Sequence, residues 1–361
     1  MKERRIIISG GGTGGHIYPA LAVGQKLQEK DPNLHLTFVG SRRSLEKNLM
    51  DRSGAHFIAM TIEGLKGRGL KSLKAMAILP FAFFKSLTLL LRFKPDLVIG
   101  VGGYSSGPIV LLASLMRKPT LILEQNLCPG LTNRLLLRWA KKAVVAFENS
   151  LAFFRGKGVF LGNPVREEFY SLRPKQRTRG LALLVFGGSQ GSHVLNQAMA
   201  AALPLLKAEK ENMKIFHQTG EADFEGVKAG YVQNGFEEAE VSPYFFEMAG
   251  YFEKSDLIIS RAGATTIAEL IASQKPAILV PFAQASEDHQ TKNARELERV
   301  GGARVILEKD LTPEFLAENI LFFLKHTEKI SEMERDLAAL KTDRPAEKIA
   351  NLCFELMEAK A

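Results

Sequence analysis

The stretch Ile6-Ile7-Ile8-Ser9-Gly10-Gly11-Gly12-Thr13-Gly14-Gly15-His16 leaves few options for the fold around it. Three consecutive isoleucines favour a short buried strand, because β-branched side chains suit a pleated surface. Glycine at every position but one from 10 to 15 then demands a sharp turn, and Ile17 to Gln28 is helix-compatible. So bare a backbone admits a ligand closely, and the helix it feeds offers unpaired N–H groups and a positive dipole end. That combination suits a phosphate. Gly10-x-Gly12-x-x-Gly15 also satisfies the dinucleotide-binding spacing, a pattern of low specificity; the histidine that follows it is the distinguishing residue.

A chain of 361 residues exceeds one typical domain and implies about two. With 46% apolar and 24% charged residues the composition is globular rather than disordered. The basic start Met1-Lys2-Glu3-Arg4-Arg5 is followed by an apolar run too short for an export signal, and Cys128 and Cys353 make no disulfide framework or metal knuckle. A cytosolic protein is expected. The net charge of +9 favours anionic partners: nucleic acid, anionic lipid or a phosphorylated substrate.

In the first half the second apolar run, Leu34 to Gly40, ends in Gly40-Ser41-Arg42-Arg43, without the acidic residue a nicotinamide fold places on the ribose. Either the arginines favour NADP or the loop binds something else. Leu65 to Lys94 carries Lys66, Arg68, Lys71, Lys74, Lys85, Arg92 and Lys94 with no acidic residue, interleaved with Leu79, Phe81, Phe83 and Phe84. It is too short and interrupted to span a bilayer. One reading is two core helices joined at Pro80; the other is an apolar patch ringed by lysines that sits in the headgroups of an anionic membrane. Asp96 to Gly100 is a further strand, opening into Gly102-Gly103-Tyr104-Ser105-Ser106-Gly107-Pro108, and Thr120 to Leu123 delivers Glu124-Gln125-Asn126 to its carboxyl end. Ala143 to Phe147 and Val159 to Leu161 bring the half to at least six strands alternating with helices, closed by Gly162-Asn163-Pro164-Val165-Arg166.

Arg173 to Arg179 reads as a linker. The chain then restarts at Leu181 to Phe186 with Gly187-Gly188-Ser189-Gln190-Gly191-Ser192, again strand, glycine turn, helix. Strands follow at Met213 to His217, Leu257 to Ser260, Ala277 to Val280 and Ala303 to Leu307. Ser260-Arg261-Ala262-Gly263-Ala264-Thr265-Thr266 feeds a helix with Glu269 in its first two turns, within reach of ribose hydroxyls beside a diphosphate. Pro281 to Ala294 supplies a polar set that includes Gln290. The echo between halves predicts an α/β protein with two Rossmann-like domains facing each other across a cleft: residues 1–166 and 167–342, with a helix in 343–361 packing back on the first.

Two such halves form the GT-B glycosyltransferase plan, and the motifs sharpen it. Gly11 to His16, Gly102 to Pro108, Glu124-Gln125-Asn126, Gly162 to Arg166, Gly187 to Gly191, Arg261 to Ala264 with Glu269, and Asp288-His289-Gln290 with Asn293 span nearly the whole chain. In that order they resemble the peptidoglycan glycosyltransferases that move N-acetylglucosamine from UDP onto lipid I, a polyprenyl-pyrophosphate-linked sugar, to give lipid II. The resemblance implies an enzyme without cofactor, peripheral to the cytoplasmic face of the cell membrane and bound to its anionic surface, with no role for nucleic acid. It places Thr13, Gly14 and Gly15 on the sugar and acceptor side and Asn126 near the transferred sugar. Arg166 and Ser189 would hold the diphosphate. Arg261, Gly263, Ala264, Thr265 and Thr266 would serve phosphate and ribose, Glu269 the ribose hydroxyls, Gln290 the N-acetylglucosamine and Phe245 the uracil. Leu79, Phe81, Phe83, Phe84, Lys74 and Lys85 would meet the membrane.

The chemistry needs a base for the acceptor hydroxyl and charge neutralisation on departing UDP. His16 suits the first task, since an imidazole titrates near neutral pH. No Asp-x-Asp pair is available to hold a metal, so helix N-termini and Arg166 would meet the diphosphate instead, giving metal-independent inversion. Rival readings are a transferase with another lipid acceptor, of diacylglycerol type, a UDP-sugar epimerase, an NADP-dependent oxidoreductase, and a non-enzymatic membrane-binding module.

Overall fold

The computed structural model describes residues 3–11, 14–41, 55–60, 70–172 and 180–359; the side chains of 14, 70–79 and 286 lie outside the description. The chain forms two compact units, Met1–Arg166 with Thr342–Ala361, and Glu167–Lys341.

The first unit is a seven-stranded parallel sheet in the order β3-β2-β1-β4-β5-β6-β7. The strands are β1 Arg5–Ser9, β2 His35–Ser41, β3 Phe57–Met60, β4 Leu97–Gly100, β5 Thr120–Glu124, β6 Lys142–Val145 and β7 Gly158–Phe160. Its helices are α1 (Gly14–Lys30), α2 (Leu70–Phe93), α3 (Ser106–Leu115) and α4 (Leu131–Leu136). Alternation along β1 sends Ile6 and Ile8 to one face and Ile7 to the other, and all three are buried. A central parallel strand is covered on both sides, so its sequence reads as continuous apolar residues. Ile6 and Ile8 pack with Ile17, Val23 and Leu27 of α1 and with Ile349, Ala350 and Cys353 of the last helix of the chain, Pro345–Glu358. Ile7 packs with Leu90, Ile109, Val110 and Leu136. Each such side chain contributes roughly 1.5–3 kcal/mol by leaving water.

The second unit repeats the plan with six strands in the order β10-β9-β8-β11-β12-β13. These are β8 Leu181–Phe186, β9 Met213–Gln218, β10 Glu240–Ser242, β11 Leu257–Ser260, β12 Ala277–Leu279 and β13 Ala303–Val305. The helices are α5 (His193–Leu206), α6 (Phe224–Gln233), α7 (Met248–Lys254), α8 (Ala264–Ser273), α9 (His289–Arg299), α10 (Pro313–Lys325) and α11 (Thr327–Leu340), and the last helix named above is α12. Both units use one device at the amino ends of their central strands. Asp96 Oδ2 accepts from Arg5 N at 3.0 Å while Asp96 N donates to Arg5 O; Asp256 Oδ2 accepts from Ala182 N at 2.8 Å while Asp256 N donates to Ala182 O.

Of the two readings of this segment, the one with two helices joined at Pro80 is overturned in its break but not in its core packing. α2 runs through Pro80 as one helix. Pro80 is exposed, so its missing N–H and its ring fall on the water side, while Ala82, Ser86 and Leu90, four residues apart, are buried and hold the downstream turns. β3 and β10 were not among the expected strands. Both are short edge strands, and Glu240-Val241-Ser242 has no apolar run to announce it.

Candidate active site

In each unit the strand order reverses once, between β1 and β4 and between β8 and β11, and loops leaving such a pair diverge to open a crevice at the carboxyl ends. Glycine turns stand at both places.

In the first unit Gly10 and Gly11 leave β1 and Val101 to Ser105 leave β4. They touch: a Cβ on Gly103 (φ +75°) would run into the Gly11 carbonyl oxygen. One on Gly102 (φ +93°) would lie 2.9 Å from Cδ2 and Nε2 of His16. Only glycine fits either position, and the His16 ring rests on the second turn. Gly14, Gly15 and His16 open the first turn of α1, and His16 is half-buried there; Thr13 lies outside the described residues, as do Arg42, Arg43 and the expected linker at 173–179.

Beside this crevice, Glu124 ends β5 with its carboxylate buried and fully used. Oε1 accepts from Asn126 N at 3.0 Å and Asn126 Nδ2 at 3.2 Å; Oε2 accepts from Gly130 N at 3.0 Å and Asn133 Nδ2 at 2.9 Å. Burial pushes this carboxyl above the usual carboxylate range, and the four donated bonds oppose it. Glu124 thus fixes the loop that carries Asn126. Its role was missed from sequence, where the glutamate is visible but its donors are not. Gln125 turns inward, Nε2 donating to Val101 O at 3.0 Å, which ties that loop to the one leaving β4. Arg166, where the chain leaves this unit for the second, holds its guanidinium 5.2 Å from the Tyr18 ring centroid, a cation–π contact.

In the second unit Ser189 is exposed at the tip of the turn after β8, and Ser192 caps α5, its Oγ accepting from Leu195 N. Arg261, just after β11, is 9% exposed and donates from Nε to Ser192 Oγ at 3.0 Å and from Nη1 to Glu308 Oε2 at 2.8 Å. Expected as a ligand contact, it is also the junction of the loops around the crevice. Gly263 is the N-cap of α8 and makes no side-chain bond to its first turn. Ala264, Thr265 and Thr266 form the turn; the Thr265 hydroxyl is buried without a hydrogen-bond partner. Glu269 follows in the second turn, buried. Gln290, in α9, accepts from Phe282 N through Oε1 at 3.0 Å, which leaves Nε2 to offer a ligand. Gly263 to Glu269, Arg261, Ser189 and Gln290 therefore gather at one sheet edge. Phe245 differs from the expectation in its side chain. The ring is buried and stacked on Tyr251, 3.8 Å between centroids, so it is the main chain of Phe245, not its ring, that borders the edge.

The membrane residues divide. Phe81 is 61% and Phe84 68% exposed, on one side of α2 with Leu87 and Leu91. Phe83 is half-buried, and Lys85 donates to Ala59 O at 2.8 Å. The side chains of Lys74 and Leu79 lie outside the described residues. Among the described residues no helix is long and apolar enough to cross a membrane.

Residues 6–145 match the glycosyltransferase family 28 N-terminal domain and residues 182–349 the family 28 C-terminal domain. The chain is 43% identical to a Syntrophus aciditrophicus protein named UDP-N-acetylglucosamine–N-acetylmuramyl-(pentapeptide) pyrophosphoryl-undecaprenol N-acetylglucosamine transferase, across 98% of this chain and 99% of the relative. A Myxococcus xanthus protein of the same name is 41% identical, across 98% and 93%. The crystal structure of Acinetobacter baumannii MurG superposes with a TM-score of 0.80 at 30% identity, covering 98% of this chain and 99% of that one. The chain belongs to glycosyltransferase family 28 and, within it, to the MurG group.

Proposed function

We propose that this chain transfers N-acetylglucosamine from UDP-N-acetylglucosamine to lipid I, forming lipid II in peptidoglycan synthesis. The observation that carries the reading is the buried, unpartnered Thr265 Oγ1 in the first turn of α8, a helix whose N-cap is a glycine, with Glu269 buried behind it. Such a helix start suits a diphosphate, and a carboxylate one turn on suits ribose hydroxyls. The donor nucleotide belongs to this second unit, with Ser189 beside the diphosphate and Gln290 Nε2 towards the sugar.

The acceptor belongs to the first unit. His16 takes the proton of the muramyl hydroxyl as that oxygen bonds to the anomeric carbon of N-acetylglucosamine, and the bond from that carbon to the UDP oxygen breaks. Attack from the face opposite UDP inverts the centre. The charge growing on UDP is met by the α8 N-terminus. Gly14 and Gly15 let the acceptor approach the backbone, and Asn126, held by Glu124, faces the transferred sugar. Phe81 and Phe84, with the basic residues of the same segment, seat the enzyme on an anionic leaflet, where a polyprenyl acceptor resides. That leaflet is the cytoplasmic one, since UDP-sugars are cytosolic.

The test is transfer of radiolabel from UDP-N-acetylglucosamine to a lipid I analogue. Labelled lipid II, formed equally in excess chelator, is the expected product. Label passing to diacylglycerol instead, or epimerised UDP-sugar without an acceptor, would replace this reading with one of its rivals.

A further inference from the structure

We infer that Gln218 is a positioning residue for the donor nucleotide, its carboxamide holding the diphosphate turn and the base-side loop at a fixed separation and orientation. The inference rests on the donor reading of the second unit. Gln218 ends β9, is 1% exposed, and lies between the two loops because β9 sits between β8 and β10. Its Nε2 donates to Gly188 O at 2.9 Å, and its Oε1 accepts from Phe245 N at 2.8 Å. One planar group thus bridges the glycine turn after β8 and the Pro243–Glu247 loop after β10, and the amide can point only one way.

The consequence lies in the peptide planes. In a trans peptide the carbonyl and the following N–H point oppositely. Drawing the Gly188 carbonyl inward onto Gln218 turns the Ser189 N–H outward, towards the open side of the turn. Gly188 has φ +101° and no atom within 4 Å of a would-be Cβ, so nothing packs against that side of it. Apart from Gln218, Gly188 O receives a bond from Gly191 N within the same turn at 3.1 Å. The flanking backbone is packed tightly: Thr219 N donates to Ser242 O at 3.0 Å, Gly220 N to Pro243 O at 3.1 Å, and a Cβ on Gly191 would strike the Thr219 carbonyl oxygen. Gln218 therefore stands on a rigid base and adds to the Gly191 bond a second restraint on the Gly188 carbonyl above it.

Gln218→Met and Gln218→Glu test this in the full chain, using inhibition by UDP and steady-state transfer. Methionine fills the space and makes neither bond, so UDP inhibition should weaken about 10-fold and the donor KM rise equally, with kcat within about 3-fold of native and the acceptor KM unchanged. A protonated glutamate can both donate to Gly188 O and accept from Phe245 N, whereas the carboxylate repels that carbonyl. Gln218→Glu should accordingly approach native UDP affinity as pH falls from 9 to 6, while Gln218→Met shows no such recovery. UDP affinity within 2-fold of native in Gln218→Met would overturn the inference. So would a parallel loss of donor affinity, acceptor affinity and kcat with a lowered melting temperature, which marks general loosening. If Gln218→Met fails to fold, the absence of pH recovery in Gln218→Glu overturns it. A native chain not inhibited by UDP at all would remove the donor reading itself, and this inference with it.

Discussion

Arg261 donates from Nε to Ser192 Oγ at 3.0 Å, joining the end of β11 to the cap of α5 across the point where the strand order reverses. The same guanidinium reaches Val280 O and Pro281 O, each at 3.2 Å, and Glu308 Oε2. Glu308 in turn accepts from Ala283 N. Arg261→Ala takes the guanidinium donors away from Glu308 and Ser192, leaving the carboxylate without its charge partner, and should lower the stability of the second unit by roughly 3 kcal/mol. Arg261→Lys should recover less than half of that, since an ammonium cannot serve Ser192 and Glu308 together. Urea unfolding measures both. A change below ~1 kcal/mol in Arg261→Ala would mean that the guanidinium acts on ligand alone.

The contact between Gly102 and the His16 ring gives the catalytic assignment a second handle. His16→Ala should lower kcat at least ~100-fold if the imidazole is the base. Gly102→Ala, which puts a methyl 2.9 Å from the ring at a positive φ, should displace it and give a loss of the same order. UDP inhibition should be untouched in both. A His16→Ala enzyme with a near-native rate would end the base assignment.

His217 sets an acid limit on the second unit. It is fully buried between Tyr231 Oη, 3.0 Å from Nδ1, and Asn196 Oδ1, 3.1 Å from Nε2. Burial lowers its pKa from 6.5 to about 3, against a smaller upward pull from Asp223. The unfolded chain therefore binds a proton that the folded chain refuses between those values. This contribution is complete above the unfolded pKa and is lost as pH falls from about 6.5 towards 3. Unfolding free energy should drop on the order of 1–2 kcal/mol between pH 6.5 and 5, and His217→Gln should flatten the slope. A native pH profile unchanged by that substitution would contradict the assignment.

On α2 the exposed face separates membrane binding from stability. Phe81→Ser with Phe84→Ser removes two rings that are mostly in solvent, so release from anionic vesicles is expected with little change in melting temperature. Ala82 and Leu90 lie on the packed face. Leu90→Ala should cost about 2–5 kcal/mol. Retention of the serine variant on vesicles in sedimentation would remove the patch from the membrane role.

How far these features could be read from sequence depends on whether they are local. β1 and its glycine turn are, because three isoleucines and the following glycines act over neighbouring residues. The restart at Leu181 is equally plain for the same reason. The course of α2 through Pro80 is not, since the packing of Ala82 and Leu90 outweighs the proline and depends on the sheet beneath. Nor is the part played by Glu124, whose donors come from Asn126, Gly130 and Asn133, or the inward ring of Phe245, which is decided by Tyr251. The residue types that touch a ligand announce themselves by composition; those that hold them are defined by partners distant along the chain.

The aspartate clips at the feet of β4 and β11 bear on how such a protein is assembled. Asp96 meets Arg5 across 91 positions of sequence and Asp256 meets Ala182 across 74. The strand pair beneath each crevice is thus among the costlier loop closures of its unit, and closure entropy must be overcome before any packing rewards it. Neither crevice can pre-exist in a nascent fragment: the turn after β1 has no opposite wall until β4 has been made and docked. Substrate affinity should consequently appear late in synthesis, and a chain cut between β1 and β4 should regain it only when both fragments are present together.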